Sequence, residues 1–164
     1  MKLVLARIDN RLIHGQVLEA WVPNIHANCI IVANDEVAQT TMRRLLMEAA
    51  VPKSIQVIVN TVEAVAHLLN SAELGDARVL LLFATARDAL LAFRAGAPIT
   101  TLNLGNMHAG AGKLKCSCTI ALAPEDIEDL QALEAAGVEI VSQCVPTERE
   151  VAWSRMLPKV KGEG

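Results

Sequence analysis

Short runs of apolar residues recur along the chain and alternate with segments of helical periodicity. A run that is apolar throughout, rather than at every second position, is typical of a strand buried on both faces of a parallel sheet. Such runs predict seven strands, over Lys2 to Ile8, Asn28 to Val32, Ile55 to Val59, Arg78 to Phe83, Ile99 to Leu104, Cys116 to Leu122 and Val138 to Gln143. The pattern predicts a single-domain α/β fold with an open, doubly wound, mostly parallel sheet and helices on both faces.

Polar caps and helix breakers delimit the helices between these runs. The predicted helices are Asp35 to Ala50, Thr61 to Leu69, Thr85 to Gly96, Pro124 to Gly137 and Thr147 to Leu157, with a short one beginning near Gly15. In the first of the long helices, Met42, Leu45, Leu46 and Met47 are predicted to pack in the core.

One connection has no helical pattern: the glycine-rich segment from Gly105 to Lys113. It is too short for a helical crossover, so the run that follows it is expected to pair antiparallel with a neighbour. The last residues, 159–164, are expected to form a flexible tail.

The composition limits the function. Hydrophobic residues make up 52% of the 164 residues, but the longest uncharged stretch, Ala95 to Gly112, contains four glycines and a proline, so it is not a membrane span. A net charge of −3 and an aromatic content of 2% argue against nucleic acid as a partner. The four cysteines are expected to be reduced thiols in the cytoplasm, and neither a metal nor a cofactor is expected.

The segment from Asp9 to Gln16 follows the first strand, at the sheet edge where open α/β folds bind ligands. His14 is predicted at a helix N-terminus, where the N–H groups of Gly15, Gln16 and Val17 would bind an anion that His14 carries. Arg11 offers two donors to a phosphate, and a neutral imidazole is a competent nucleophile. From the residues alone, a phosphohistidine site and a capping histidine beside a surface arginine are both open.

The segment Arg7 to Val17 resembles the active-site signature of the IIB subunits of the bacterial sugar phosphotransferase system, in its mannose/fructose/sorbose family. Further similarities lie in Ile30 to Ala38, Val79 to Phe83, Asn103 to Met107 and Pro124 to Asp126. The resemblance spans essentially the whole chain, residues 1–164.

The resemblance implies a specific function. His14 matches the family's phosphoryl-carrying histidine, Arg11 its accompanying arginine and Asp9 its aspartate. A protein of this family accepts a phosphoryl group from a phosphorylated IIA protein and transfers it to a sugar imported by the membrane subunits IIC and IID. The implied activity is that of a protein-Nπ-phosphohistidine–sugar phosphotransferase at the inner face of the membrane. Three roles stay open for Asp9: it orients His14, it holds Arg11 in place, or it only forms a turn after the strand. The resemblance to the family also leaves open whether the chain forms a homodimer.

The loop from Gly105 to Lys113 departs from the family pattern, because the basic residue near its middle is missing. His108 and Lys113 are the secondary candidates there, with plain solvent exposure as the alternative. A second function also stays open: a regulatory phosphoprotein that signals nutrient status without serving transport. The sequence does not name the sugar.

Overall fold

The computed structural model describes residues 1–157, which form a seven-stranded main sheet and a separate two-stranded ribbon. The strands of the main sheet are β1 (Lys2–Asp9), β2 (Cys29–Ala33), β3 (Gln56–Asn60), β4 (Arg78–Phe83), β5 (Thr101–Asn106), β8 (Glu139–Ser142) and β9 (Val151–Ala152). Their order is β3-β2-β4-β1-β5-β8-β9, and the pairs are parallel except for β9, which runs antiparallel to β8. The predicted fold class is confirmed, whereas the predicted tail at 159–164 lies outside the described residues.

Helices cover both faces of the sheet. The α-helices are α1 (Val22–Ile25), α2 (Asp35–Gln39), α3 (Thr41–Ala50), α4 (Val62–Leu69), α5 (Ala86–Arg94) and α6 (Pro124–Ala135), and a π-helical turn (Val17–Trp21) precedes α1. Strand residues alternate between two cores: in β4, Leu81 packs with α4, α5 and α6, and Leu80 packs with the elements on the other face. The caps at Thr61 and Thr85 are confirmed, since each hydroxyl accepts a hydrogen bond from the first turn.

The predicted strand from Cys116 to Leu122 is wrong. The Ser117 hydroxyl accepts hydrogen bonds from the N–H groups of Thr119 and Ile120, and this turn divides the run. Only the end of the run forms a strand, β7 (Ala121–Leu122), and it pairs with β6 (Leu114–Lys115), which precedes the run, as a separate antiparallel ribbon. The seventh strand of the main sheet is β9 instead.

The predicted helix from Thr147 to Leu157 is also wrong. Within it, β9 pairs with β8, and a short 3-10 helix (Trp153–Met156) follows. The Trp153 ring is buried and its Nε1 donates to Glu134 Oε2 at 2.6 Å. Pairing along the open edge of β8 therefore prevails over local helical spacing in this segment.

The predicted helix from Asp35 to Ala50 is two helices. Asn34 caps α2, while the Asp35 carboxylate accepts from Val62 N–H at 2.9 Å. The chain is extended at Thr40, which turns α3 away from the line of α2. No residue of α3 is buried, so the predicted core packing of Met42, Leu45 and Leu46 is wrong; Met47 is partly buried.

The topology positions the functional site. The chain leaves β1 toward β2 on one face, and it leaves the neighbouring β5 toward β8 on the other. This reversal opens a crevice at the carboxyl ends of β1 and β5, where doubly wound folds bind ligands. Among the helices of residues 1–157, none has the length and apolar character to cross a membrane.

Candidate active site at the ends of β1 and β5

Asp9 ends β1 and is the centre of the site. Its side chain is fully buried, and Oδ2 accepts hydrogen bonds from His14 Nε2 at 2.8 Å and Asn106 Nδ2 at 3.0 Å. The other oxygen, Oδ1, accepts from the backbone N–H of Arg11 at 3.1 Å. Burial by itself raises the pKa of Asp9, but the hydrogen bonds from His14, Asn106 and Arg11 outweigh it and hold the pKa below its usual range. Asp9 is therefore a carboxylate at neutral pH.

Asp9 determines which nitrogen of His14 is free. An ionised carboxylate only accepts hydrogen bonds, so Nε2 of His14 carries the proton in this contact. In a neutral ring the lone pair then lies on Nδ1. The His14 side chain is 14% exposed, so part of the ring is accessible at the surface while the hydrogen bond to Asp9 fixes its orientation.

The loop between Asp9 and His14 is fixed by its backbone. Leu12 adopts a left-handed conformation with φ of 58°, its N–H bonds to Asp9 O, and its side chain is fully buried. This conformation is costly for a leucine, so burial of the side chain must hold it. The chain is helical from residue 15 to 25, and Leu18 N–H donates to His14 O at 3.1 Å. His14 thus stands at a helix N-terminus, as the sequence predicted.

Arg11 lies at the mouth of the site. Its side chain is 52% exposed, and its Nε is 3.9 Å from Asp9 Oδ1. At this distance Asp9 holds the guanidinium only loosely, and within residues 1–157 the terminal nitrogens of Arg11 have no side-chain partner, so they can bind an anion. The structure therefore brings Asp9, Arg11 and His14 together.

Sequence reasoning gave no role to Arg7, whose side chain is fully buried behind Asp9. Its guanidinium donates to Asn103 Oδ1, Gln143 O and Cys144 O, and it lies 4.6 Å from the centre of the Trp21 ring. Burial lowers the pKa of Arg7 to about 10, with Asp9 opposing the change. Arg7 is thus a cation at neutral pH that joins β1, β5 and the loop after β8.

The Nε atom of Arg7 is unpaired within residues 1–157, at 3.8 Å from Asp9 Oδ2. A buried cation this close stabilises the ionised form of the carboxylate. The signal for Arg7 was present in the sequence, since a charge inside an apolar strand needs a buried partner. Asn106 gave no comparable signal, because its role depends on the pairing of β1 with β5.

Gly105 is required by the approach of Arg7. A Cβ atom at this position would lie 2.1 Å from Arg7 Nη2 and 2.2 Å from Cζ. The guanidinium cannot move away from such a Cβ, because it donates hydrogen bonds to Gln143 O and Cys144 O and lies over the Trp21 ring.

We expect Gly105→Ala to lower the free energy of unfolding by about 3 kcal/mol, the upper end of ordinary overpacking. For a chain of this size that corresponds to a fall in melting temperature of about 6–12 °C. Calorimetry would measure it, with Gly110→Ala as the control, since a Cβ there meets only Lys113 at 3.7 Å. Equal melting temperatures for the two variants would show that Arg7 has room to move.

The secondary candidates lie beside the site. A cavity of about 240 Å3 is lined by Arg11, Asn106, His108 and Lys115 among others. His108 is exposed, and Lys113 does not line the cavity, because its Nζ donates to the His108 carbonyl at 3.1 Å. His108 is therefore near the anion-binding side of the site, whereas Lys113 supports the loop.

The other predicted phosphate-binding residues follow His14 directly. Gly15 is exposed, and apart from its own helix backbone and its two chain neighbours, no atom of the described residues lies within 4 Å of where its Cβ would stand. Val17 is buried against the core, so only its backbone N–H can face the site. No cluster of three or more His, Cys, Asp or Glu side chains in residues 1–157 is arranged to hold a metal ion.

Comparisons with known proteins show the family of this chain. The family model described as the sorbose subfamily IIB component of the PTS matches residues 3–163. The chain belongs to this family of IIB components. The IIBSor domain of the sorbose permease from Klebsiella pneumoniae has a TM-score of 0.90 at 34% identity, over 95% of this chain and 96% of that one.

Two curated relatives from Escherichia coli K12 are also similar. The N-acetylgalactosamine-specific phosphotransferase enzyme IIB component 2 is 39% identical over 94% of this IIB chain and 98% of its own length. The mannose-specific EIIAB component is 32% identical over 98% of this chain, which spans 50% of that longer protein. This IIB chain is therefore a phosphotransferase-system component that acts in phosphoryl transfer to sugar.

Proposed function

We propose that this IIB component accepts a phosphoryl group on Nδ1 of His14 from a phosphorylated IIA protein and passes it to a sugar held by IIC and IID subunits. The observation that carries the proposal is the 2.8 Å hydrogen bond from His14 Nε2 to the buried Asp9 carboxylate. It keeps the proton on Nε2 and leaves Nδ1 as the nucleophile. The activity is that of a protein-Nπ-phosphohistidine–sugar phosphotransferase.

Two displacements at phosphorus make up the cycle. In the first, the Nδ1 lone pair forms a bond to phosphorus while the P–N bond of the donor histidine breaks, and that electron pair returns to the donor ring. In the second, a sugar hydroxyl oxygen attacks the same phosphorus and the P–N bond to His14 breaks. The hydroxyl proton leaves to solvent, and His14 regains its lone pair. Positioning and neutralisation of charge provide most of the catalysis in such transfers.

Asp9 and Arg11 divide these tasks. Asp9 holds the ring and stabilises its Nε2–H while Nδ1 becomes bonded to phosphorus. Arg11 offsets the negative charge on the equatorial oxygens of the phosphoryl group. The backbone N–H groups of Gly15, Gln16 and Val17 at the helix N-terminus donate to the same oxygens. The open space at Gly15 lets the phosphoryl group approach the backbone. His108 lines the neighbouring cavity together with Arg11 and is a secondary candidate for contact with the phosphoryl group.

The partners follow from the family. A IIA protein supplies the phosphoryl group, and IIC and IID subunits bring the chain to the inner face of the membrane. Nothing in the three relatives favours the regulatory alternative, since their names refer to sugar permeases or phosphotransferases. A homodimer remains a proposal that sedimentation of the purified chain would test.

Phosphorylation in vitro tests the proposal. The chain is incubated with phosphoenolpyruvate, the general phosphotransferase proteins and a IIA protein. It should acquire a phosphate that is labile in acid and stable in base, which is the behaviour of a phosphohistidine. A phosphate that survives acid would place it on a hydroxyl group and contradict the assignment.

Arg11→Ala should slow phosphoryl transfer without unfolding the chain, since the side chain is half exposed. We expect a rate lower by about 10- to 100-fold, the effect of removing one charged hydrogen-bond donor of about 1.5–3 kcal/mol. Quenched-flow labelling measures the rate, and the melting temperature is the control. Arg11→Lys should recover only part of the rate, because an ammonium does not donate as a fork. A large fall in melting temperature would instead give Arg11 a structural role.

A further inference from the structure

One face of α3 is apolar and uncovered. Met42 is 66% exposed, Leu45 51% and Leu46 63%, and we name these three residues the α3 apolar face. They are three of the six large hydrophobic side chains that are strongly exposed in residues 1–157. Isolated exposed hydrophobics need no explanation, but three on adjacent turns of one helix form a patch that typically marks an interaction site.

The α3 apolar face extends to the active-site loop. A cavity of about 240 Å3 lies between α3 and that loop, lined by Leu46, Met47 and Ala50 on the helix side and by Ile13 on the loop side. Ile13 immediately precedes His14 in the chain. A partner that contacts Leu46 therefore also reaches the edge of the site.

The charges beside this face show which partner it fits. Arg43 lines the same cavity and is 47% exposed, with a weak surface pair to Glu36 at 3.3 Å. Arg11 lies exposed at the mouth of the site. Of the two partners that must reach His14, the donor arrives carrying a phosphoryl dianion and the acceptor presents an uncharged sugar. Basic side chains around an apolar centre are complementary to the donor.

We propose that the α3 apolar face is the docking surface for the phosphohistidine-bearing IIA donor, with Arg43 and Arg11 as its basic rim. The inference rests on the proposed function, and it assigns the partner's contact to a helix that carries no catalytic group. Apolar contact at the centre with charges at the rim is the usual anatomy of a transient interface. It also explains why a helix with leucines and methionines at these positions has no buried residue.

The test compares two matched substitutions, Leu45→Glu and Leu91→Glu. Leu91 is 45% exposed and lies on α5, which packs on the opposite face of the sheet. Both variants should keep the wild-type melting temperature, because neither side chain is in the core. The IIA donor is chosen as the phosphorylated IIA protein that labels the wild-type chain fastest. The measured quantity is the second-order rate constant for labelling of each variant by this donor.

We expect Leu45→Glu to lower this rate constant about tenfold or more, as loss of a central interface contact does, and Leu91→Glu to leave it unchanged. At saturating IIA the two rates should converge, since α3 contributes to binding and not to the chemical step. Labelling by phosphoramidate, a small phosphoryl donor without a protein surface, should be equal in all three chains.

Three outcomes would overturn the inference. Equal labelling by IIA in Leu45→Glu and Leu91→Glu would show that the donor binds elsewhere. Loss of transfer to sugar with normal labelling by IIA would assign the face to the membrane subunits. A wild-type dimer that Leu45→Glu converts to a monomer with unchanged labelling would assign it to a second copy of the chain. Failure of every phosphorylated IIA protein to label His14 of the wild-type chain would instead contradict the proposed function itself.

Discussion

Replacing His14 by alanine is expected to abolish phosphoryl acceptance, with labelling from phosphorylated IIA lower by about 10³-fold or more. The ring supplies the attacking atom, and the neighbouring side chains provide no substitute: Asp9 is buried and bonded, and Arg11 is a cation. Autoradiography after labelling through the phosphoenolpyruvate chain measures the effect. His67→Ala is the control and should keep its label, and His108→Ala should also be labelled, because His108 is not the proposed phosphoryl carrier.

Loss of the ring also removes one hydrogen bond from Asp9, so folding must be checked separately. His14→Gln restores a side-chain donor toward Asp9 without a nucleophilic nitrogen, and it should be as inert as His14→Ala while melting closer to the wild type. Wild-type labelling of either variant would show that His14 does not carry the phosphoryl group. Label that disappears in His108→Ala instead would assign it to that loop histidine.

Asp9→Asn should have the second largest effect. The amide is nearly isosteric but neutral, so it no longer requires the proton of His14 to stay on Nε2. In the catalytic triad of serine proteases, the same substitution beside the histidine costs about 10⁴ in rate, because the ring adopts the wrong tautomer. We expect a fall of about 10²- to 10⁴-fold in the rate at saturating IIA, with little change in KM.

A positioning role for Asp9 has its own signature. In the wild type, the phosphoryl group should be on Nδ1 alone, whereas the residual label of Asp9→Asn should distribute between Nδ1 and Nε2, as ³¹P NMR would show. Asp76→Asn is the control for the loss of one negative charge, because Asp76 is exposed in the loop that precedes β4. Residual phosphate confined to Nδ1 would show that Asp9 does not select the tautomer of His14.

Stability will change in Asp9→Asn as well, because Arg7 loses its nearest buried anion. Breaking a buried charge pair costs about 3–5 kcal/mol, and the 3.8 Å separation here places the expected cost at the lower end. Rates should therefore be compared at a temperature where the variant is fully folded. The loss of rate should persist there, since it arises from the tautomer and not from unfolding.

Local signals in the sequence were sufficient for much of the fold. Uninterrupted apolar runs predicted six of the seven strands of the main sheet, and threonine caps predicted the starts of α4 and α5. These features depend on neighbours within a few residues. The seventh strand did not follow, because β9 is a two-residue strand whose pairing with β8 depends on the edge that the folded sheet leaves open.

The candidate site divides in the same way. The loop after β1 was predicted because Asp9, Arg11 and His14 lie within one short stretch of chain. Their support was not: Arg7 contacts Asn103 and Gln143, which are 96 and 136 positions away, and Gly105 is needed only because that guanidinium passes beside it.

The amino-acid sequence thus predicted an α/β sheet and, through the family resemblance, a candidate phosphoryl-accepting histidine in the segment that follows the first strand. Strand formation and helix capping are local, and they are encoded wherever the pattern occurs. Tertiary structure alone decided that Asp9 binds Nε2 of His14, that a buried arginine stands behind it, and that the apolar residues of α3 face outward. Each of these depends on which distant segments of the chain meet. In α3, the extended backbone at Thr40 separates the helix from α2, so the apolar residues that the spacing predicts to be buried face outward instead.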